Sequence, residues 1–245
     1  MLNCLEFVTK MQLEDGVFMV TQLGSPSITR KIKMFIERPL NSNSIRNKGV
    51  LFGVGVNDAD YIVQLKKKGD AKRSACPFYR AWCDMLKRCY CVNSRKRCPT
   101  YSNCTVNKEW HLFSNFRSWM KTQNWKGKCL DKDLLIYGNK VYGAEGCYFV
   151  TPEVNSVIIS SSRAGSIFPV GVSLHKSKGK IRATCNQYGK HKHIGYFSSP
   201  IKASRAYKEF KSNHIRMFAE RYKDDAKVFR SLITHANYML REEQK

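Results

Sequence analysis

Leu130-Asp131-Lys132-Asp133-Leu134, Gly138-Asn139-Lys140-Val141-Tyr142 and Cys147-Tyr148-Phe149-Val150-Thr151-Pro152-Glu153-Val154-Asn155 decide how the middle of this chain folds. Two short apolar strands flank a Gly-containing turn, the pattern of a hairpin. Thr151-Pro152 then marks a helix start, with Thr151 as N-cap and Pro152 at the first helical position. Asp131 and Asp133 fall on the first strand, and Asn155 on the first turn of the helix behind the second. A hairpin backed by a helix can converge hard oxygen ligands on one small volume. A Mg2+ ion, or another divalent cation, holding a phosphodiester needs that arrangement. The alternative is that Asp131 and Asp133 cap or solvate the hairpin.

The chain around this stretch is long and basic. Its 245 residues suffice for two or three small domains, and a hydrophobic content of 42% supports packed cores. The net charge is +24, from 43 Lys and Arg against 19 Asp and Glu. A globular chain tolerates that self-repulsion best when a polyanion relieves it. Nucleic acid is the first candidate and an anionic membrane surface the second. No apolar run approaches the roughly 20 residues that span a bilayer, and the acid-containing N-terminus gives no secretory signal.

Ten cysteines are many for this length. Without a secretory signal, reduced thiols are expected rather than a disulfide framework. Six of them, Cys76, Cys83, Cys89, Cys91, Cys98 and Cys104, crowd one segment. A structural Zn2+ there would take Cys89, Cys91, Cys98 and Cys104. The segment lacks the paired C-x-x-C spacing of strong zinc motifs. Cys76, Cys83 and Cys89 also fall largely in step with a helix, where cysteine packs as a small hydrophobe.

Residues 1–62 read as a small β-rich module, with Val17-Phe18-Met19-Val20 and the alternating Arg30 to Ile36 as strands, and a small antiparallel barrel is expected. Gly53-Val54-Gly55 opens no helix with a following acid, so it is not a dinucleotide site. Lys66 to Ser74 is a basic linker, either solvated or tracking a phosphate backbone. Pro77 to Tyr90 forms a helix with Tyr79, Trp82, Leu86 and Cys89 on one face. A second helix carries Trp110, Phe113, Phe116 and Trp119 at core spacing. His111 beside it is a candidate general base or a hydrogen-bonded surface residue. The Ser-rich stretch from Val157 to Phe168 is a linker.

From Phe168 to Lys223 there are 13 Lys and Arg against two acids, Glu209 and Glu220. Pro169 to His175, Gly179 to Cys185 and Lys190 to Phe197 read as three strands, and Ser199-Pro200 starts an amphipathic helix. Lys180 and Arg182 share one strand face, with Ile181 and Ala183 on the other. Lys190 and Lys192 repeat the alternation, with His191 and His193 opposite. With the helix covering the apolar side, a stripe of cations faces outward, and a sheet of this width fits a DNA major groove. Asp224 to Leu240 is one more helix.

Two resemblances extend this reading. Residues 130–155 resemble the HNH, or ββα-metal, nucleases of phage homing-type endonucleases. The likeness runs upstream through Tyr79-Arg80-Ala81-Trp82, Met85-Leu86-Lys87-Arg88-Cys89-Tyr90, Pro99-Thr100-Tyr101 and Val106 to Trp110-His111-Leu112-Phe113. Ile45-Arg46-Asn47 and Phe52-Gly53-Val54-Gly55 are similar to the N-terminal β module of those proteins. The resemblance implies Asp131 and Asn155 as Mg2+ ligands, with Lys132 on the phosphate and Asp133 orienting a ligand or water. Lys132 stands where the family usually has its general-base His, and Gly146 where it usually has the Asn that orients that His. An unperturbed Lys, with a pKa of about 10.4, binds phosphate rather than taking a proton.

The C-terminal segment resembles the three-stranded DNA-binding domain of APETALA and ethylene-response factors, which phage endonucleases also carry. The matching residues are Gly171-Val172, Gly179-Lys180-Ile181-Arg182-Ala183, Ile194-Gly195-Tyr196-Phe197 and Ala203 through Ala206-Tyr207. The family's tryptophans are replaced here, near Leu174, Ile181 and Ile194. The resemblance places His175, Lys176, Lys180, Arg182, Lys190 and Lys192 on phosphates or base edges.

The expectation is an α+β chain. It comprises a small β module at 1–62, an HNH-like ββα-metal domain at 75–160 with flanking helices, and a three-stranded sheet on a helix at 167–245. The function expected is a metal-dependent DNA endonuclease of phage type with a degenerate site, acting in the cytoplasm of the host bacterium. Its rivals are a non-catalytic DNA-binding or regulatory protein, an inhibitor of a host DNA-handling factor, and an RNA-binding protein.

Overall fold

The computed structural model describes residues 11–13, 17–19, 35–46, 48–65, 74–158 and 166–241. Most of the expected strand at 30–36, most of the basic linker and the Ser-rich stretch around 160–165 lie outside them. The architecture is mixed α+β, with small N-terminal hairpins, central helices and strands, and a C-terminal three-stranded antiparallel sheet on a long helix. No helix among the described residues is long and apolar enough to cross a membrane.

The N-terminal elements are β1 (Met11–Leu13) paired with β2 (Val17–Met19), α1 (Ser42–Arg46), β3 (Val50–Leu51) paired with β4 (Gly55–Val56), and β5 (Gln64–Leu65) paired with β6 (Ser74–Ala75). Among the described residues these are separate two-stranded hairpins, and much of the stretch expected to complete a barrel, residues 1–10 and 20–34, lies outside them. Gly55 lets β4 sit directly on the next helix. A Cβ there would lie 2.4 Å from Leu86 Cδ1 and 3.0 Å from the Trp82 ring.

That helix is α2 (Pro77–Tyr90), which begins where proline is pre-organised at the first turn. It is followed by α3 (Val92–Arg97), β7 (Thr105–Val106) and α4 (Phe113–Lys121). Tyr79, Trp82, Leu86 and Cys89 are all buried, as their three-and-four spacing requires. They meet Trp110, Phe113 and Phe116 in an aromatic core, and Trp82 Nε1 donates to the Trp110 carbonyl at 2.7 Å. The aromatics at helical spacing are therefore core.

Next come β8 (Cys129–Asp131), β9 (Val141–Tyr142), β10 (Tyr148–Val150) and α5 (Pro152–Ile158). β8 and β10 pair antiparallel, with Leu130 opposite Phe149. β9 instead pairs parallel with β7. Thr151 caps α5 by accepting from Val154 N at 3.3 Å.

The C-terminal elements are β11 (Val172–His175), β12 (Lys180–Gln187), β13 (Lys190–Phe197), α6 (Pro200–Ala219) and α7 (Ala226–Arg241). Ser199 caps α6 by accepting from Lys202 N, and Asp225 accepts from Val228 N at the start of α7. The α6–α7 pair buries Ile215, Phe218, Leu232 and Ala236 against Leu134, Val150 and Val154. The strand–turn–helix at 129–158 thus lies between the aromatic core and the C-terminal helices. The contact includes His235 Nε2 on the carbonyls of Asp133, at 2.7 Å, and Leu134, at 3.1 Å.

Candidate nucleic-acid interface and the turn at Asp131

The sheet order is β11-β12-β13, all antiparallel. Val172, Ala183 and Cys185 point towards α6 and are buried with Ala203 and Tyr207. Gly171 makes this close packing possible. Its φ is +76°, and a Cβ there would come within 2.1 Å of the Tyr207 ring.

The opposite face carries the charge. Residues paired directly across antiparallel strands share a face. Ser173 is opposite Arg182, His175 opposite Lys180, and Arg182 opposite Tyr196. Lys176, Lys178, Lys180, His193 and Tyr196 are exposed. Tyr196 is the centre of this group. His193 and His175 lie 4.7 and 5.5 Å from its ring centroid, and Lys178 Nζ lies 4.9 Å from it. Arg182 steadies itself on Ser173 Oγ at 3.3 Å while remaining half-buried at the surface.

A β-bulge changes the other half. Ala183 pairs with Gly195 but Thr184 pairs with His193, so Ile194 is an extra residue in β13. One extra residue inverts the alternation beyond it. Thr184 with His193 and Asn186 with His191 therefore continue the outer face. Cys185 with Lys192 and Gln187 with Lys190 fall on the helix side. Gln187 Nε2 confirms that side by meeting His214 Nδ1 of α6 at 3.4 Å. This corrects the expected stripe. Lys180 and Arg182 face outward with His191 and His193, whereas Lys190 and Lys192 are exposed at the edge of the other face.

The turn after β8 is built differently from the expected metal site. Asp131 ends the strand, and Asp133 lies in the bend beyond it. Asp131 is 7% exposed, and its Oδ1 accepts from Asp133 N at 2.8 Å and Leu134 N at 2.6 Å. Burial raises its pKa above the usual carboxylate range, opposed by the Leu134 amide and assisted by the neighbouring Asp133. Lys132 is 4% exposed. Its Nζ donates to both Asp133 carboxylate oxygens and to the Asn139 carbonyl, each at 2.7 Å. Asn139 closes the loop by donating to the carbonyls of Lys132 and Val141, each at 2.9 Å. These side chains satisfy one another and the backbone, as an Asx-type turn does.

Asn155 projects elsewhere. It lines a cleft between α5 and the C-terminal sheet, shared with Cys129, Asn186, His191 and Lys211 but not Asp131. The residues therefore do not fit a Mg2+ ion held by Asp131 and Asn155. One carboxylate oxygen is already committed to two amides, an ammonium is fixed beside it, and the amide ligand serves another cavity. His111 does not complete the site either. Its ring lies edge-on to Tyr90 at 6.2 Å, and its buried Nε2 has no hydrogen-bond partner among the described residues.

The zinc expectation fares similarly. Among the described residues no group of three or more His, Cys, Asp or Glu is gathered to hold a metal. Cys89 and Cys104 are buried in the aromatic core, while Cys98 is exposed. Burial pushes the Cys89 thiol up to about 12, which keeps it a neutral core side chain.

Lys211 was not singled out by the sequence reading, although a signal was present. It lies four residues from both Tyr207 and Ile215, on the apolar face of α6. No protein-family model, curated protein or solved structure matches this chain.

Proposed function

We propose that this chain is a double-stranded-DNA-binding protein that docks the outer face of β11–β13 on the duplex. The carrying observation is the surface cluster of exposed Lys178 and Lys180 with half-buried Arg182 and His175 around Tyr196, on one side of a three-stranded layer whose other side is held by α6. Cations on that layer would neutralise phosphates, and Arg182 and Tyr196 would meet base edges or sugars with the sheet in a groove.

In this reading the segment from Cys129 to Ile158, similar to an HNH ββα-metal unit, acts as scaffold and does not hydrolyse phosphodiesters. Support comes from the commitment of Lys132 to Asp133 and Asn139, and of Asp131 to the turn amides. An ammonium already bound to a carboxylate has little left to offer a scissile phosphate, and the imidazole at the turn, His235, is committed to the carbonyls of Asp133 and Leu134. The setting proposed is phage infection, in the cytoplasm of the host bacterium.

The test is a plasmid assay. The purified protein should shift supercoiled plasmid in EDTA and in Mg2+ or Mn2+ alike, and leave it supercoiled. Metal-dependent nicking that disappears in Asp131→Ala would overturn the non-hydrolytic half of the proposal and restore the endonuclease. Tighter binding to structured RNA than to duplex would overturn the choice of partner.

A further inference from the structure

The cleft between α5 and the C-terminal sheet has a volume of about 520 Å3, inside the range of about 300–1,000 Å3 typical of small-ligand sites. Its lining is unusual in charge. Among the described residues no acidic side chain borders it, and Lys211 of α6 reaches it from a position only 4% exposed. Among the described residues no hydrogen bond or ion pair satisfies the Lys211 ammonium. Its titratable neighbours include the Cys185 thiol on the facing strand β12 and His214 one turn along α6. Burial lowers the Lys211 pKa, with Cys185 opposing, and burial together with the Lys211 charge lowers that of His214. A largely buried ammonium without an anion is costly, and an anion entering the cleft would relieve that cost.

The remaining lining supplies neutral donors. Ser156 and Asn155 come from α5, Thr184 and Asn186 from β12, and His191 from β13. One cation among hydroxyl, amide and imidazole donors matches a group with several oxygen acceptors and a negative charge. We propose that this cleft is a phosphate-binding site anchored by Lys211, with Ser156, Asn155 and Thr184 as its neutral donors.

The phosphate has two possible sources. Asn186 and His191 belong to the outer-face register, so the cleft opens at the rim of the sheet surface, where a backbone phosphate of docked nucleic acid would lie. The volume also admits a free mononucleotide. Binding of a free phosphate does not depend on the duplex-docking proposal, so the two can fail separately.

The test compares wild type, Lys211→Met, Ser156→Ala and the Lys180→Ala/Arg182→Ala double variant, all as full-length chain. Thermal unfolding is followed in potassium phosphate and in ionic-strength-matched potassium chloride. Inorganic phosphate and a 5′-mononucleotide are titrated calorimetrically, and a duplex by anisotropy. In chloride, Lys211→Met should unfold at a higher temperature than wild type, because an unpaired buried charge is gone. It should bind phosphate-containing ligand about tenfold more weakly or worse, as expected for loss of a charge-assisted hydrogen bond. Ser156→Ala, an exposed helix position, should weaken binding severalfold without disturbing the fold. The double variant should keep the response to inorganic phosphate. Loss confined to the duplex arm assigns a backbone phosphate, and loss in the titrations assigns a free one. If Lys211→Met and Ser156→Ala match wild type with phosphate, mononucleotide and duplex, the proposal is overturned.

Discussion

Replacing Lys180 and Arg182 together by Ala weakens duplex binding and lowers the slope of log affinity against log salt by about two, one for each phosphate contact removed. Both residues stand on the outer face, opposite His175 and Tyr196. The expected loss is large because counterion release supplies most of the affinity of a basic surface, and it grows as salt falls. Lys190→Ala/Lys192→Ala provides the internal control. The bulge turns those lysines to the helix side, opposite Gln187 and Cys185, so their removal should change the slope less. Titrations of a labelled duplex at several salt concentrations measure both. Equal slopes for the two double variants would mean that the outer face is not the docking face.

Asp133→Ala destabilises the fold more than Lys132→Met does, although both remove the same ion pair. Lys132 is 4% exposed and Asp133 is 40% exposed on the side chain. Without the carboxylate, the buried ammonium keeps the Asn139 carbonyl and the Tyr101 ring 6.0 Å away, and losing its anion costs about 3 kcal/mol, the low end for a buried pair because Asp133 is partly exposed. Without the ammonium, methionine fills the space of the lysine stem and Asp133 turns to water. The remaining loss is that of ordinary hydrogen bonds, about 1–2 kcal/mol. Urea unfolding of the two variants and wild type gives the order. The reverse order would show that Lys132 is not buried as described, and would release it to meet a phosphate.

Where the chain announces its structure locally, the sequence was sufficient. Pro77 opens α2, Ser199-Pro200 opens α6, and Thr151-Pro152 opens α5, each because a cap or a fixed φ acts on its immediate neighbours. The three C-terminal strands follow from their alternation and the turns between them. The hidden features are non-local. Ile194 gives no sign of being an extra residue, because an uninterrupted alternation is equally compatible with the pattern of Lys190 to Phe197. One added residue was enough to exchange the lysines and histidines between faces. Lys132, between two aspartates, reads as a solvated or phosphate-binding cation. Its burial depends on Asn139 folding back and on α7 bringing His235 to the turn from about a hundred residues away. Asn155 was correctly placed on its helix, but the face it presents is fixed by packing against α6 and the sheet, which strand and helix signals do not encode.

Docking of duplex DNA on the outer face of the C-terminal sheet should be visible in amide hydrogen exchange of the full chain, with and without a duplex oligonucleotide. New protection is expected in peptides covering His175 to Thr184 and His191 to Tyr196, with the turn from Asp131 to Asn139 unchanged in Mg2+ and in EDTA. Protection centred on the Asp131 turn and dependent on metal, with the sheet unaffected, would contradict docking on the sheet.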